Sequence, residues 1–180
     1  MTELKSVLME VIRRDLTPVL LATGFTPRRN LTWRRGESLE VRVIVDSKAN
    51  DPYQGGAFTL EFETSDDGRF LTGFSGRTRI NQLLDPQQRR VFLSVRNAIS
   101  SSLVRPEGSY FAGWPESLIS EYFKAYSVAD ELERQFWMRF RRAEDVEKWC
   151  DLIVDIWSTV VERAASIDPH ELVLGRVLEW

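Results

Sequence analysis

Leu4, Val7, Leu8, Val11, Ile12, Leu16, Val19 and Leu20 recur at three- and four-residue spacing, so the chain should open with a helix apolar on one face. Thr2 suits its N-cap and Gly24 its C′ position. Pro18 removes a backbone donor and predicts a kink or break near Asp15–Thr17, with Arg13 and Arg14 off the apolar stripe. From Phe25 the period falls to two. Leu31 and Trp33 alternate with Thr32 and Arg34, and Arg35-Gly36-Glu37 turns the chain. Leu39, Val41, Val43 and Val45 then alternate with polar neighbours. This predicts a β-hairpin with one face in the core. Residues 48–56 read as a loop, and Phe58, Leu60 and Phe62 mark a third strand. Asp66-Asp67-Gly68 is a turn, Phe70–Phe74 a fourth strand weakened by Gly73, and Gly76–Ile80 its continuation or an edge.

Helical spacing then returns. Asp85-Pro86 is a helix start, followed by a stripe of Val91, Phe92, Val95, Ala98, Ile99 and Leu103. A short helix is expected from Pro115 to Tyr126, another from Ala129 to Arg142, and a long one over Glu144–Ile167. Asp168-Pro169 is expected to cap a final short helix ending at Trp180. The pattern predicts an α+β fold: an N-terminal helix packed on an antiparallel β-meander of three to five strands, followed by a helical C-terminal half. One domain over residues 1–180 is expected, with helix and meander in 1–82 and the helical portion in 83–180.

Composition changes this picture little. No stretch approaches the ~20 apolar residues of a membrane span, and the first residues lack a signal-peptide pattern, so no membrane partner and a cytoplasmic location are expected. The net charge is −3, which disfavours a constitutive polyanion binder. Charge is unevenly spread. Residues 1–110 carry 16 Lys/Arg against 13 Asp/Glu (+3), and residues 111–180 carry 8 against 14 (−6). Most cations are arginine, which suits bidentate recognition of carboxylate or phosphate; a GC-rich genome would give the same bias.

Catalytic equipment is scarce. The single histidine, His170, stands at a predicted helix start, and no Gly-x-Ser-x-Gly elbow supports a triad. The single cysteine, Cys150, sits among Trp149, Leu152 and Ile153 and reads as a small buried hydrophobe. One histidine and one cysteine cannot make a zinc site. Asp66-Asp67, or Asp46 with Asp51, would at most hold Mg²⁺ through carboxylates, and acidic turn residues explain them without it. Gly55-Gly56 lacks the Lys-Ser/Thr of a phosphate loop. No catalytic residue, cofactor or metal is therefore expected. An enzyme built from carboxylates and arginines alone would need a cleft in which they converge.

Two clusters remain. Arg28, Arg29, Arg34 and Arg35 lie at the mouth of the first hairpin, and Arg77 and Arg79 share one face of their segment. With Trp33 and Tyr53 they could hold a phosphate backbone and stacked bases; the plainer reading is a solvated face paired with Glu37, Glu40, Glu61 and Glu63 across strands. Five of the six tryptophans fall after residue 110. Helical spacing makes most of them core, while Trp114, Trp137 and the terminal Trp180 are candidates for a protein surface.

The opening helix, the Thr23-Gly24-Phe25 break, the basic Pro27-Arg28-Arg29-Asn30, the Leu31–Arg35 strand, the Val41–Val45 strand and the Arg77-Thr78-Arg79-Ile80 segment resemble the bacterial domain of unknown function forty-three oh four. The resemblance covers roughly residues 5–80, and the Trp-rich C-terminal half departs from it. It implies a helix-plus-sheet domain, with accessory or immunity roles as the setting, and assigns no catalytic residue. The expectation is a non-catalytic binding or accessory protein with a protein partner or a second copy of itself. The alternative is a nucleic-acid-binding module using the N-terminal arginines.

Overall fold

The computed structural model of the chain describes residues 3–46, 55–70, 75–101, 113–115, 117 and 136–173. The opening helix is α1 (Glu3–Val11), a π-helical turn (Ile12–Leu16) and α2 (Thr17–Ala22). Pro18 has no N–H to give and its ring crowds the carbonyl four residues back, so the α pattern cannot run through it unchanged. The expected disruption takes the form of the π turn rather than a break: both the backbone N–H and the hydroxyl of Thr17 donate to the Ile12 carbonyl, the hydroxyl at 3.1 Å. Gly24, at φ 86°, reverses the chain after the helix as a C′ residue should.

The strands are β1 (Thr26–Pro27), β2 (Thr32–Arg35), β3 (Leu39–Val45), β4 (Gly56–Thr64), β5 (Arg77–Arg79) and β6 (Met138–Phe140). They form one antiparallel sheet in the order β1-β2-β3-β4-β5, with β6 also on β4. β5 and β6 lie end to end along the far edge of β4, β5 opposite Glu61–Glu63 and β6 opposite Gly56–Phe58. Gly55 and Gly56 permit this approach: a Cβ on Gly56 would run into the Phe140 ring, and one on Gly55 into the Phe140 carbonyl. The expected α+β class, with an N-terminal helix, an antiparallel sheet and a late helix, is the observed one; among the described residues the sheet has six strands, where the meander foresaw three to five.

Trp33, Leu39, Val41, Val43, Phe58, Leu60 and Phe62 point to one side and are buried. Against them pack α1, the π turn and α4 (Ala143–Ala165), whose buried stripe includes Val146, Trp149, Cys150, Ile153, Trp157 and Val160. The Trp157 ring lies 5.8 Å from Phe25 and 5.9 Å from Phe62, and its Nε1 donates to Thr23 Oγ1 at 2.9 Å, so one side chain joins α4 to the end of α2 and to the sheet.

Helix α3 (Pro86–Ser101) begins as the Asp-Pro pair predicts. Asp85 Oδ1 accepts from the backbone N–H groups of Gln88 and Gln87 at 2.8 and 2.9 Å, and Gln88 Oε1 accepts from Asp85 N at 2.9 Å, a reciprocal capping box. These bonds favour the carboxylate, and its pKa lies below the usual aspartate value, first through the Gln88 N–H. Asp85→Ala is expected to cost about 1 kcal/mol near neutral pH, as N-cap losses do. The folded-state pKa is depressed, so the stabilisation is present above the ordinary aspartate pKa and fades as pH falls through the lowered one. Urea denaturation of both forms between neutral and acid pH checks this, the gap between them closing in acid.

Three expectations are corrected. The predicted helix Ala129–Arg142 is overturned where it is described: Met138–Phe140 is strand β6, while residues 129–135 lie outside the described residues. Phe136, Met138 and Phe140 alternate with Trp137 and Arg139 and are all buried; the four-residue step from Phe136 to Phe140 mimics a helix, but the intervening Met138 belongs to a strand. The predicted helix from Asp168 to Trp180 is overturned where it is described: residues 168–171 form a turn, with Glu171 N bonded to Asp168 O at 2.9 Å, and residues 174–180 lie outside the described residues. The chain then runs extended: Leu172 bridges Ser75, and the Val173 carbonyl accepts from Gln82 Nε2 at 2.9 Å. Third, the outward side of β4 is not solvated. All nine of its residues are buried, including Thr59, Glu61 and Glu63. The Thr2 cap, most of the Phe70–Phe74 strand and the Pro115–Tyr126 helix fall mainly outside the described residues. Among those described, no helix is long and apolar enough to cross a membrane.

Candidate functional site: a charged ladder and its basic lip

The outward side of the sheet is built of arginines and glutamates in two rows. One row across β2, β3, β4 and β5 reads Arg34, Glu40, Glu63, Arg77, and the next reads Thr32, Arg42, Glu61, Arg79. Period-two alternation in each strand puts every second residue on this side; the register sets Arg34 beside Glu40, Arg42 beside Glu61 and Arg77 beside Glu63, and it also sets Glu40 beside Glu63, a like-charge pair that Arg42 bridges. Arg34 Nη2 lies 3.1 Å from Glu40 Oε2, Arg42 Nε 3.6 Å from Glu61 Oε1, and Arg77 Nε 3.3 Å from Glu63 Oε2; Arg42 Nη2 also contacts Glu63. The Glu63 side chain is 2% exposed while its two arginines keep about a quarter of their surface in water. Glu63 is thus a buried carboxylate held by two half-buried cations.

Arginine planes rest on aromatic rings at both ends of the ladder. The Arg34 guanidinium lies 4.4 Å from the Phe70 ring centroid and that of Arg79 5.0 Å from Trp137. Burial lowers the pKa of Arg79, with Glu61 opposing the shift.

The hairpin lip is different. Between β1 and β2 the chain passes through Asn30 and Leu31 at φ 56° and 53°. Asparagine tolerates this left-handed region; leucine does so at a cost on the order of 1 kcal/mol. Bonds on either side hold the shape: Arg28 N donates to Thr32 O at 2.7 Å, and Val43 N to Leu31 O at 3.0 Å. Arg28 and Arg29 project from this loop into solvent. Neither has a carboxylate partner among the described residues. With Pro27, Thr32, Arg34 and Glu40 they line an open groove of about 690 Å³.

The six sequence-predicted arginines are therefore sorted. Arg34 and Arg77 belong to the ladder, and Arg79 joins it opposite Glu61. Arg28 and Arg29 form the lip, and Arg35 is exposed at the β2 end. The plainer expectation, cross-strand pairing with glutamates, holds for Glu40, Glu61 and Glu63, but on a buried face. Trp33 does not join the arginines: it is 3% exposed and faces the helices, because it is one residue out of phase with Thr32 and Arg34. Tyr53 lies outside the described residues. Among the three tryptophans assigned to a protein surface, Trp114 is 39% exposed, Trp137 is half-buried beside Arg79, and Trp180 lies outside the described residues.

Sequence reasoning missed Thr32 and Glu40 as groove residues and Phe70 as the support of Arg34. Thr32 and Arg34 are two apart in a strand, as are Glu40 and Arg42 in the next; once the Arg35-Gly36-Glu37 turn fixes the register, that spacing puts all four on one face.

Other chemistry-bearing residues are dispersed. His170 Nε2 is 2.9 Å from Asp66 Oδ2, both side chains being mostly exposed. Cys150 is buried and its thiol is pushed up to about 12 by that burial, so little thiolate exists near neutral pH. Among the described residues no three His, Cys, Asp or Glu side chains gather in a metal-binding group. Compared with known proteins, the chain matches no family model, no curated protein and no solved structure.

Proposed function

We propose that this chain is a non-catalytic binding protein that docks an acidic segment of a protein partner in the groove at the first hairpin. The observation that carries this is the contrast between neighbours: Arg34, Arg42 and Arg77 are matched by glutamates, whereas Arg28 and Arg29 stand exposed with no carboxylate partner among the described residues, on a strained loop held by backbone bonds to both sides. Strain kept at a surface loop is a mark of function rather than stability. Paired and exposed guanidinium groups around one concavity make a site for carboxylate or phosphate.

The alternative, a nucleic-acid module, draws on the same arginines with less support. Of the aromatics that could stack a base, Trp33 is committed to the core, and Phe70 and Trp137 already carry the guanidinium groups of Arg34 and Arg79. On the resemblance alone, the proposal extends to an accessory or immunity role in a bacterial host.

Fluorescence anisotropy at about 50 mM salt, where charge contacts are least screened, tests it with a labelled acidic peptide and with single-stranded DNA. The peptide should bind, and Arg28→Glu with Arg29→Glu should weaken it by about tenfold or more, each rim charge being worth up to about 1 kcal/mol and reversal doubling the effect. Binding of neither ligand removes the proposal. DNA binding tighter than peptide, and lost on the same reversal, transfers the site to the alternative.

A further inference from the structure

We infer that the feature the groove reads is a phosphomonoester, carried as phosphoserine or phosphothreonine within the acidic segment. This rests on the docking function above and adds the charge state and geometry of the ligand. The groove is lined by three guanidinium groups, Arg28, Arg29 and Arg34, against one carboxylate, Glu40, a net of +2. A single glutamate of a partner supplies −1 and leaves the groove positive. A phosphomonoester supplies about −1.5 to −2 with three acceptor oxygens, which matches both the charge and the number of donors.

The donors line one groove and differ in how firmly they are held. Arg34 uses Nε and Nη2 on the same oxygen of Glu40, at 3.4 and 3.1 Å, and rests its plane near Phe70. Its Nη1 makes no bond among the described residues, so the guanidinium is fixed in orientation while one nitrogen stays available. The Thr32 hydroxyl, in the same lining, likewise has no partner among the described residues and can donate to an anion oxygen. Arg28 and Arg29 supply cations from the exposed side. A rigid arginine between a carboxylate and a ring, one hydroxyl and two longer-reaching arginines make a recognition set for a tetrahedral dianion. Glu40 restricts the choice further. It holds Arg34 and places a negative charge beside the site, so flanking acidic residues are tolerated only toward Arg28 and Arg29.

The test is isothermal titration of the full chain with one short acidic peptide in three forms, bearing serine, glutamate or phosphoserine at the central position, and with adenosine monophosphate as a free source of the same group. The phosphoserine form should bind about tenfold tighter than the glutamate form, the worth of roughly one further charge-assisted hydrogen bond, and the serine form weakest. Adenosine monophosphate should bind more weakly than the phosphopeptide. Arg34→Lys keeps the charge but loses the planar fork and the ring contact, so the gap between phosphoserine and glutamate should narrow to about twofold. Should Arg34→Lys disturb folding, Arg28→Gln with Arg29→Gln, both at exposed positions, should still weaken the phosphoserine form more than the serine form. Equal affinity for glutamate and phosphoserine overturns the inference and leaves acidic docking standing; no binding by any peptide overturns both. Nucleotide binding as tight as the phosphopeptide overturns the assignment to a protein segment.

Discussion

Glu63→Ala is expected to destabilise the protein by about 3 kcal/mol, the lower end of the cost of removing one partner from a buried ion pair. The size follows from the asymmetry of the cluster. Glu63 is almost wholly removed from water, and Arg42 and Arg77 converge on it from β3 and β5. Without the carboxylate, two cations face each other across β4, and the carboxylates left near Arg42 among the described residues are Glu61 and Glu40, at 3.6 and 3.9 Å. Both arginines retain some water contact, which caps the penalty. Glu63→Gln should recover part of the loss through hydrogen bonding. Removing Arg77 as well should cost less than the sum of the single changes, since the second substitution also removes an unmatched charge. The exposed pair of Arg14 with Glu147 provides the contrast, and breaking it should cost far less, since water screens it. Urea denaturation followed by circular dichroism measures all of these. A Glu63→Ala cost no greater than that of the exposed pair would mean that the outward side of the sheet is solvated after all.

Trp157→Ala is expected to cost more, about 4 kcal/mol, within the range for truncating a large buried aromatic. Trp157 is 2% exposed and fills the space between Phe25, Phe62 and the end of α2. Its loss leaves a cavity at the junction of three elements, so no single neighbour can collapse into it. The Nε1 bond to Thr23 is lost too, but Thr23 Oγ1 still donates to the Val19 and Leu20 carbonyls, so no buried group is orphaned. Trp157→Phe should keep most of the packing and cost about 1–2 kcal/mol, the indole bond and a smaller void. Since domains of this size are stable by only about 5–15 kcal/mol, Trp157→Ala should leave a fold that melts far earlier, and a loss below that of Trp157→Phe would place the centre of the core elsewhere.

Where one periodicity stood unopposed, the sequence was a faithful guide. The alternation through Leu39–Val45 and Phe58–Phe62, the Asp85-Pro86 start and the stripe from Val146 to Ala164 all became the elements they predict. It misled where two periods coincide: Phe136 and Phe140 are four apart, yet with Met138 they are also every second residue, and only the free edge of β4 decides for a strand. The Pro18 disruption was visible as chemistry, but its resolution as a π turn, against which α4 packs, was not. For the candidate site, the charges were legible and their burial was not. Nothing local distinguishes Glu63, closed off from water, from Glu37, which is exposed. The six arginines likewise look equivalent in sequence. The strand register assigns Arg34 to Glu40 and Arg77 to Glu63, while the left-handed turn at Asn30–Leu31 carries Arg28 and Arg29 away from the face.

The place of docking can be read directly by following the arginine Nε–Hε and backbone amide signals in two-dimensional NMR while the acidic phosphopeptide is added. A partner seated at the hairpin groove predicts that the shifts gather at Arg28, Arg29, Thr32 and Arg34, with the indole signals of Trp114 and Trp180 unmoved. Shifts that collect at those indoles while the groove signals stay in place would contradict it.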